Sequence, residues 1–317
     1  MCKTLKDLVI NQTDSIDIRN CYVETGIEGI LKTLDQELVG LKSVKNRVRE
    51  ISSVLLFDRI REIQELSTLQ SSLHMAFTGS SGTGKTSVAN KLALVLRNLG
   101  YLTKGHLTNV TREDLVGQYV GHTAPKTREQ LQKAQGGIMF IDEAHHLYKP
   151  DNERDYGSEA IELLLQVMEN QRDDLILIFA GGKNKIEQFF NSNPGISSRI
   201  GNHVDFPNYD VDDLTDITKF LLNNENRYKY TPETVEILKF YISQLVSFPA
   251  FANARTIKIF VNQLLSYQAI RIEKLLSSKG TLDYESLVTV RPEDFNFFTE
   301  EDFINIIGSE KVTLWSK

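Results

Sequence analysis

Residues 79–86 read Gly-Ser-Ser-Gly-Thr-Gly-Lys-Thr, a match at every position to the phosphate-loop pattern G-x-x-x-x-G-K-[ST]. Backbone N–H groups can converge on phosphate oxygens only where no side chain stands in the way, so the chemistry needs glycine. It also needs a helix behind the loop, whose first amides and dipole favour an anion. Both flanks supply that context. His74-Met-Ala-Phe-Thr78 is a short apolar run that reads as a strand, and Ser87 to Leu99 is apolar at helical spacing. Gly79, Ser80, Ser81, Gly82, Thr83, Gly84 and Ser87 are therefore expected around a nucleotide's phosphates. Lys85 would place a point charge on the β and γ phosphates, and Thr86 would offer its hydroxyl to Mg²⁺. A chance glycine-rich turn is the competing reading, and the strand-loop-helix context weighs against it.

Further apolar runs follow. Leu107 to Val110, Gly137-Ile-Met-Phe-Ile141, Leu175 to Ala180 and Val204 to Phe206 read as strands; Ser43 to Ile63 and Ser158 to Asn170 read as amphipathic helices. Strands apolar on both faces, alternating with helices, predict an α/β fold with a parallel sheet covered on both sides. Pro207, Asn208 and Asp210 mark a break. Beyond it the pattern predicts helices only, at Val211 to Asn223, Pro232 to Val246 and Ala254 to Ser277, hence a smaller all-helical domain. The expected organisation is an N-terminal extension over 1–27, an α/β domain over 28–208 and a helical domain over 209–280. An acidic, aromatic-bearing segment over 281–317 is packed on that domain or trails from it.

The apolar run ending at Ile141 carries Asp142 and Glu143 to the C-terminal end of a strand, where ligands bind in open α/β sheets. Asp142 suits Mg²⁺, directly or through water. Glu143 suits polarisation of an attacking water, a task that separates hydrolases from kinases. Without the phosphate loop, the same pair would read equally well as a helix N-cap.

Composition excludes other classes. Lys and Arg total 36 against 42 Asp and Glu, a net charge of −6, which argues against coating nucleic acid by charge. No apolar stretch approaches the roughly 20 residues of a membrane span. Two cysteines, Cys2 and Cys21, can build neither a disulfide framework nor a four-ligand zinc site, which suits a reducing compartment. The opening residues lack the apolar core of a secretory signal. His145 and His146 are adjacent and point in different directions, so a structural or hydrogen-bonding role is expected rather than metal binding.

Together these residues resemble an AAA+ ATPase module over roughly 28–280, that is, a P-loop α/β domain followed by a helical lid. Leu38-Val39-Gly40 is similar to the segment lining the adenine pocket, which implies Val39 and Gly40. A closer resemblance is to the red-type Rubisco activases, the CbbX (CfxQ-like) family. It is carried by Gly105-His-Leu, Val110 to Thr127, Asn152 to Gly157, Glu159-Ala-Ile, Leu164 to Asp174, Ile178-Phe-Ala-Gly181, Asn193 to Arg199 and Phe251-Ala-Asn-Ala-Arg255.

The resemblance implies ATP and Mg²⁺ as cofactors, with Glu143, Lys85, Arg199 and Arg255 as catalytic residues. It implies a first pore loop at Tyr119, Val120 and Gly121, and a second over Lys149 to Gly157 with Tyr156. On the residues alone, Tyr119 reads as a core tyrosine in a turn, residues 149–157 as a solvated loop and Arg199 as a surface arginine. The family pattern makes Arg199 a finger delivered to the neighbouring subunit's nucleotide, which requires a ring, homomeric or mixed, with a hexamer expected. Arg255 opens a helix, where it opposes the dipole; by resemblance it reaches the nucleotide from the lid.

The implied activity is an ATP-driven remodeller that pulls a terminal segment of the Rubisco large subunit and releases inhibitory sugar phosphates. Ribulose-1,5-bisphosphate is the implied effector, and a red-lineage plastid stroma or a bacterial cytoplasm the implied compartment. Neither nucleic acid nor membrane is an expected partner. Three departures stand out. Gly182 occupies a position where relatives carry tyrosine or a polar sensor, with Lys183 and Asn184 next. His145 and His146 replace two tyrosines. The helix after Arg255 is poorer in arginine. These keep open a weakly or non-hydrolysing subunit of a mixed ring; a remodeller of another protein or of DNA is a separate alternative.

Overall fold

The computed structural model describes Leu5 and residues 15–67, 72–149, 155–170, 174–225 and 227–308. Cys2, Trp315 and residues 150–154 of the expected second pore loop lie outside the described residues. The chain forms two units: Met1–Gly79 with Gly84–Pro207, and Ser80–Thr83 with Asn208–Lys317.

The first unit is built on five parallel strands: β1 (Met75–Gly79), β2 (Leu107–Val110), β3 (Ile138–Ile141), β4 (Ile176–Gly181) and β5 (Asn202–Phe206), in the order β2-β3-β4-β1-β5. β1 lies between β4 and β5, pairing Ala76 with Phe179 on one side and with His203 on the other. Parallel neighbours need crossovers, and helices supply them. In chain order the helices of this unit are α1 (Ile18–Glu24), α2 (Ile27–Glu37) and α3 (Lys42–Ile63), which precede β1, then α4 (Lys85–Asn98), α5 (Arg112–Leu115), α6 (Thr123–Ala134), α7 (Gly157–Asn170), α8 (Lys183–Ser192) and α9 (Pro194–Ser197).

Both faces of the sheet are covered, which is why β3 and β4 are buried at every position. One face carries Ala76, Met139, Ile141, Leu177 and Phe179 into a large apolar cluster with Leu164 and Phe189. On alternate residues, Phe77 packs edge-on to Phe140 at 6.4 Å and against Phe206 at 5.1 Å. Buried His74 extends the ladder: its Nδ1 accepts from the Leu177 N–H at 3.0 Å. Residues 15–27, which carry little pattern, dock on the unit. Cys21 is fully buried, the Tyr22 hydroxyl meets Ser53 Oγ at 2.7 Å, and Asn98 Nδ2 donates to the Thr25 carbonyl.

The second unit holds α10 (Val211–Phe220), α11 (Pro232–Val246), α12 (Asn253–Lys279), α13 (Tyr284–Val288) and α14 (Glu300–Ile307). It is helical apart from a two-residue parallel pair, β6 (Lys229–Tyr230) with β7 (Thr289–Val290), too short to leave a period in the sequence. Residues 281–308 contribute to its core. Tyr241 of α11 stacks on Phe303 at 5.8 Å and lies 5.3 Å from both Phe295 and Phe298. Asp294 is fully buried and accepts from Arg271 Nε at 2.5 Å, while Arg271 Nη2 donates to the Thr289 carbonyl.

Phe77→Ala would open a cavity where two other rings meet. It is expected to cost about 3–5 kcal/mol in denaturant unfolding, whereas half-exposed Phe57→Ala stays within about 0.5 kcal/mol.

Candidate functional site

Gly79 ends β1 with φ 148°, and a Cβ there would overlap the Phe206 carbonyl of β5, so only glycine fits. The chain returns to the first unit at Gly84, the N-cap of α4, which places no side chain over the helix's first amides. The first amides of a helix have no intrahelical partner, and with the helix dipole they suit an anion. Lys85 is 7% exposed, and its Nζ donates to the Gly79 carbonyl at 2.8 Å, so the ammonium is held at the base of the loop. Val39 and Gly40 lie in the turn between α2 and α3.

In the second unit, Ser80–Thr83 is held by the residues around the start of α12. Asn253 Nδ2 donates to the Ser81 carbonyl at 3.2 Å, the Ala254 N–H to Gly82, and the Tyr209 hydroxyl to Thr83. Gly82 has φ 74°, and a Cβ on it would overlap the Ala252 carbonyl. Asn253 is buried with φ 48°, and its Oδ1 accepts from the Tyr209 N–H. Sequence reasoning missed Asn253 and Tyr209. The one signal was an asparagine, the residue after glycine that best tolerates a left-handed backbone, just before a helical pattern. Arg255 lies in the first turn of α12; its side chain is exposed and makes no hydrogen bond or ion pair among the described residues.

Asp142 and Glu143 follow β3. The Asp142 N–H donates to the Val110 carbonyl at 2.8 Å, which extends the β2–β3 ladder by one residue. Its Oδ1 accepts from the Glu143 N–H at 3.1 Å. Glu143 then turns left-handed, φ 47° and ψ 47°, and leads into a 3₁₀ turn, Ala144–Leu147. A non-glycine residue there is strained, a feature that clusters at active sites. The Glu143 side chain is 41% exposed, and its Oε2 lies 3.4 Å from His145 Nδ1. Burial holds the His145 imidazole below its ordinary range; His146 and Lys185 add to the shift, and Glu143 opposes it. Arg112 ties this turn to α7: Nη1 donates to the His146 carbonyl at 2.7 Å, and the guanidinium pairs with Asp155.

Thr86 and Asp142 are hard oxygen donors on the same unit. No group of three or more His, Cys, Asp or Glu capable of holding a metal occurs among the described residues. That donor set fits Mg²⁺, which keeps its waters and binds through one or two protein oxygens plus phosphate.

The remaining expected residues fall in different settings. Tyr119 and Val120 are 66% and 79% exposed, flanked by Gly121, with the Tyr119 ring edge-on to His122 at 5.5 Å. Tyr156 is partly buried against the apolar cluster and does not project as Tyr119 does. Arg199 pairs with Glu169, and its Nη1 donates to the Gly195 carbonyl at 2.6 Å. Gly181 and Gly182 differ. A Cβ at 181 would crowd Ile186 at 3.1 Å and His145 Nδ1 at 3.3 Å, whereas one at 182 meets only Lys185 Cδ at 3.9 Å. The missing side chain at 182 is not enforced by packing.

Two family models match. The ATPase family associated with various cellular activities covers residues 75–208, and the AAA lid domain covers 210–303. Among curated proteins, a CfxQ homolog of Galdieria sulphuraria is 53% identical over 91% of this chain and 94% of its own length. The chloroplastic ribulose bisphosphate carboxylase/oxygenase activase of Cyanidioschyzon merolae is 51% identical over 88% and 94%. The CbbX protein of Cereibacter sphaeroides is 51% identical over 88% and 90%.

Gly182 is the N-cap of α8, with extended backbone (φ −62°, ψ 139°) and no capping bond. Gly182→Ser is expected to raise stability by about 0.5 kcal/mol in urea titration, through a new cap and a less flexible unfolded chain.

Proposed function

The chain belongs to the CfxQ/CbbX family of AAA ATPases, and from that membership we propose that it is an ATP-driven remodeller of ribulose-1,5-bisphosphate carboxylase/oxygenase (Rubisco). One observation carries the reading. The chain is 51% identical over 88% of its length to a protein named as that enzyme's activase, and it keeps the phosphate loop and the Asp142-Glu143 pair that hydrolysis requires.

In this reading the loop amides and Lys85 bind the ATP phosphates, and Val39 and Gly40 face the adenine. Thr86 and Asp142 hold Mg²⁺, which when bound neutralises charge on the β and γ oxygens. Glu143 takes the proton from water as it attacks the γ-phosphorus; the bond to the β–γ bridging oxygen breaks and ADP leaves with that oxygen. Arg255 contacts phosphate from the lid helix. Arg199 acts on the neighbouring subunit's γ-phosphate, which requires a ring; a hexamer is proposed, homomeric or shared with a paralogue. A finger of this kind is worth about 10³–10⁵ in rate. The Arg199–Glu169 pair keeps the guanidinium in one place until a neighbour's nucleotide competes for it.

Tyr119 and Val120 form an exposed apolar tip suited to gripping an extended peptide by packing rather than by sequence-specific bonds. The proposed peptide is a terminal segment of the Rubisco large subunit, whose displacement frees inhibitory sugar phosphates. Ribulose-1,5-bisphosphate is the proposed effector. The compartment is a red-lineage plastid stroma or a bacterial cytoplasm, in keeping with the sources of the relatives. No helix among the described residues is long and apolar enough to cross a membrane.

A second reading has its own observation. Gly182 offers no polar side chain where packing would admit one, which suits a subunit that binds ATP but hydrolyses it poorly. Steady-state hydrolysis separates the two. ATP turnover that rises with ribulose-1,5-bisphosphate, is lost in Lys85→Ala and Glu143→Gln, and restores inhibited Rubisco supports the self-sufficient activase. ATP binding without turnover supports the specialised subunit. Turnover with no effect on Rubisco points to another substrate. Arg199→Ala alone is expected to be inactive, and mixing it with Lys85→Ala to recover part of the activity, because each supplies what the other lacks.

A further inference from the structure

A base that activates water must be aimed as well as charged, since misplacement by about 1 Å can cost on the order of a hundredfold in rate. The Glu143 carboxylate is 41% exposed and leaves a left-handed backbone, so little around it fixes its direction. One side chain is placed to do so. We propose that His145 is a positioning residue for Glu143: its Nδ1–H holds the Glu143 carboxylate at the end of β3 and sets where that base meets the attacking water. The inference rests on the reading of Glu143 as the hydrolytic base.

Three observations support it. The first is proximity: Nδ1 lies 3.4 Å from Glu143 Oε2, a long contact of the kind that tightens when substrate binds. The second is confinement. The ring lies against Gly181, where any side chain would crowd Nδ1, and against His146, whose centroid is 4.1 Å away. The turn carrying it is anchored by fully buried Ala144 and Leu147. The third is an unmet need. Both ring nitrogens are buried, and neither makes a well-formed hydrogen bond among the described residues. A buried polar group without a partner is costly and calls for an explanation at the site where it occurs. The Glu143 carboxylate is the acceptor this geometry offers.

The kind of donor matters. Burial keeps the ring neutral near pH 7, so it has one N–H to give. The proton is assigned to Nδ1 because that nitrogen faces Glu143. A neutral donor fixes the direction of a carboxylate while leaving it ionised and basic. A lysine or arginine in its place would hold the carboxylate by charge and weaken it as a base.

The test compares His145→Asn, whose amide nitrogen reaches the Nδ1 position, with His145→Leu, which fills similar space without a donor. Both are assayed for ATP turnover, KM for ATP, nucleotide affinity and Tm. The expected result is that Asn keeps kcat within about threefold while Leu loses about tenfold or more, with KM, affinity and Tm unchanged. In a Glu143→Gln background, adding His145→Leu is expected to cause no further loss, because the two act as a unit. Leu matching Asn in kcat overturns the proposal, as does a loss that tracks Tm or KM. If Leu fails to fold, His145→Gln takes its place: its amide reaches the Nε2 position, so it is expected to lose activity, and rescue by Gln overturns the proposal equally. Glu143→Gln alone separates the two levels. If that variant still turns over ATP, the base assignment fails; if it is inactive while His145→Leu is not, only the positioning role fails.

Discussion

The backbone of Gly79 passes so close to the Phe206 carbonyl that no side chain fits between them, and much of the first unit is organised by that approach. It sets β1 between β4 and β5, with Gly79 opposite Phe206 and Thr78 opposite Gly181. It brings the strand out of the sheet at the point where the strand order reverses, which is where open α/β sheets bind ligands. The Lys85 ammonium then returns to the Gly79 carbonyl and fixes the first turn of α4 behind the loop. Beneath these contacts, Phe77, Phe140 and Phe206 fill the space under the loop's exit. A cavity there would disturb the strand ends from which the chemistry is built.

The carboxylate pair Asp142 and Glu143 is carried by β3 and arranged by its neighbours. Asp142 continues the β2–β3 ladder, so its carboxylate is placed by backbone pairing. Glu143 departs into a left-handed turn, and the residues after it do the arranging. Ala144 and Leu147 anchor the turn in the core, Arg112 clamps its carbonyls, and Gly181 leaves room for the His145 ring. The same guanidinium pairs with Asp155, at the start of the segment entering α7. The turn after Glu143 and the segment entering α7 thus share one cation.

The legible parts of the sequence were those whose chemistry demands a local pattern. Phosphate binding needs glycines followed by lysine and a hydroxyl within eight residues, so Gly79–Thr86 could be read without a fold. A central parallel strand is apolar throughout, so Ile138–Ile141 and Ile176–Gly181 were visible within a residue or two. The adjacency of Asp142 and Glu143 was equally plain. The illegible parts depend on partners distant in sequence. The docking of Cys21, and the ring cluster of Tyr241, Phe295, Phe298 and Phe303, arise from contacts across tens of residues. A two-residue strand pair carries no period at all. Tyr156 and Tyr119 are the same residue type in two loops, yet one packs on the core and the other projects.

By itself, then, the sequence determined that this chain binds a nucleotide on a parallel α/β sheet and carries a carboxylate pair at a strand end, because those functions require particular residues side by side. Tertiary structure decided how these groups are aimed. It put Asn253 and Tyr209 on Ser81 and Thr83, paired Arg199 with Glu169, and set His145 Nδ1 3.4 Å from Glu143 Oε2, a neighbour that no motif shows. It also separated two adjacent glycines: Gly181 is needed for space, while at Gly182 a side chain would meet almost nothing. The physical reason is range. Phosphate-loop chemistry acts between neighbours in the chain, whereas the direction of a side chain depends on what packs against it, and packing partners are chosen by the fold.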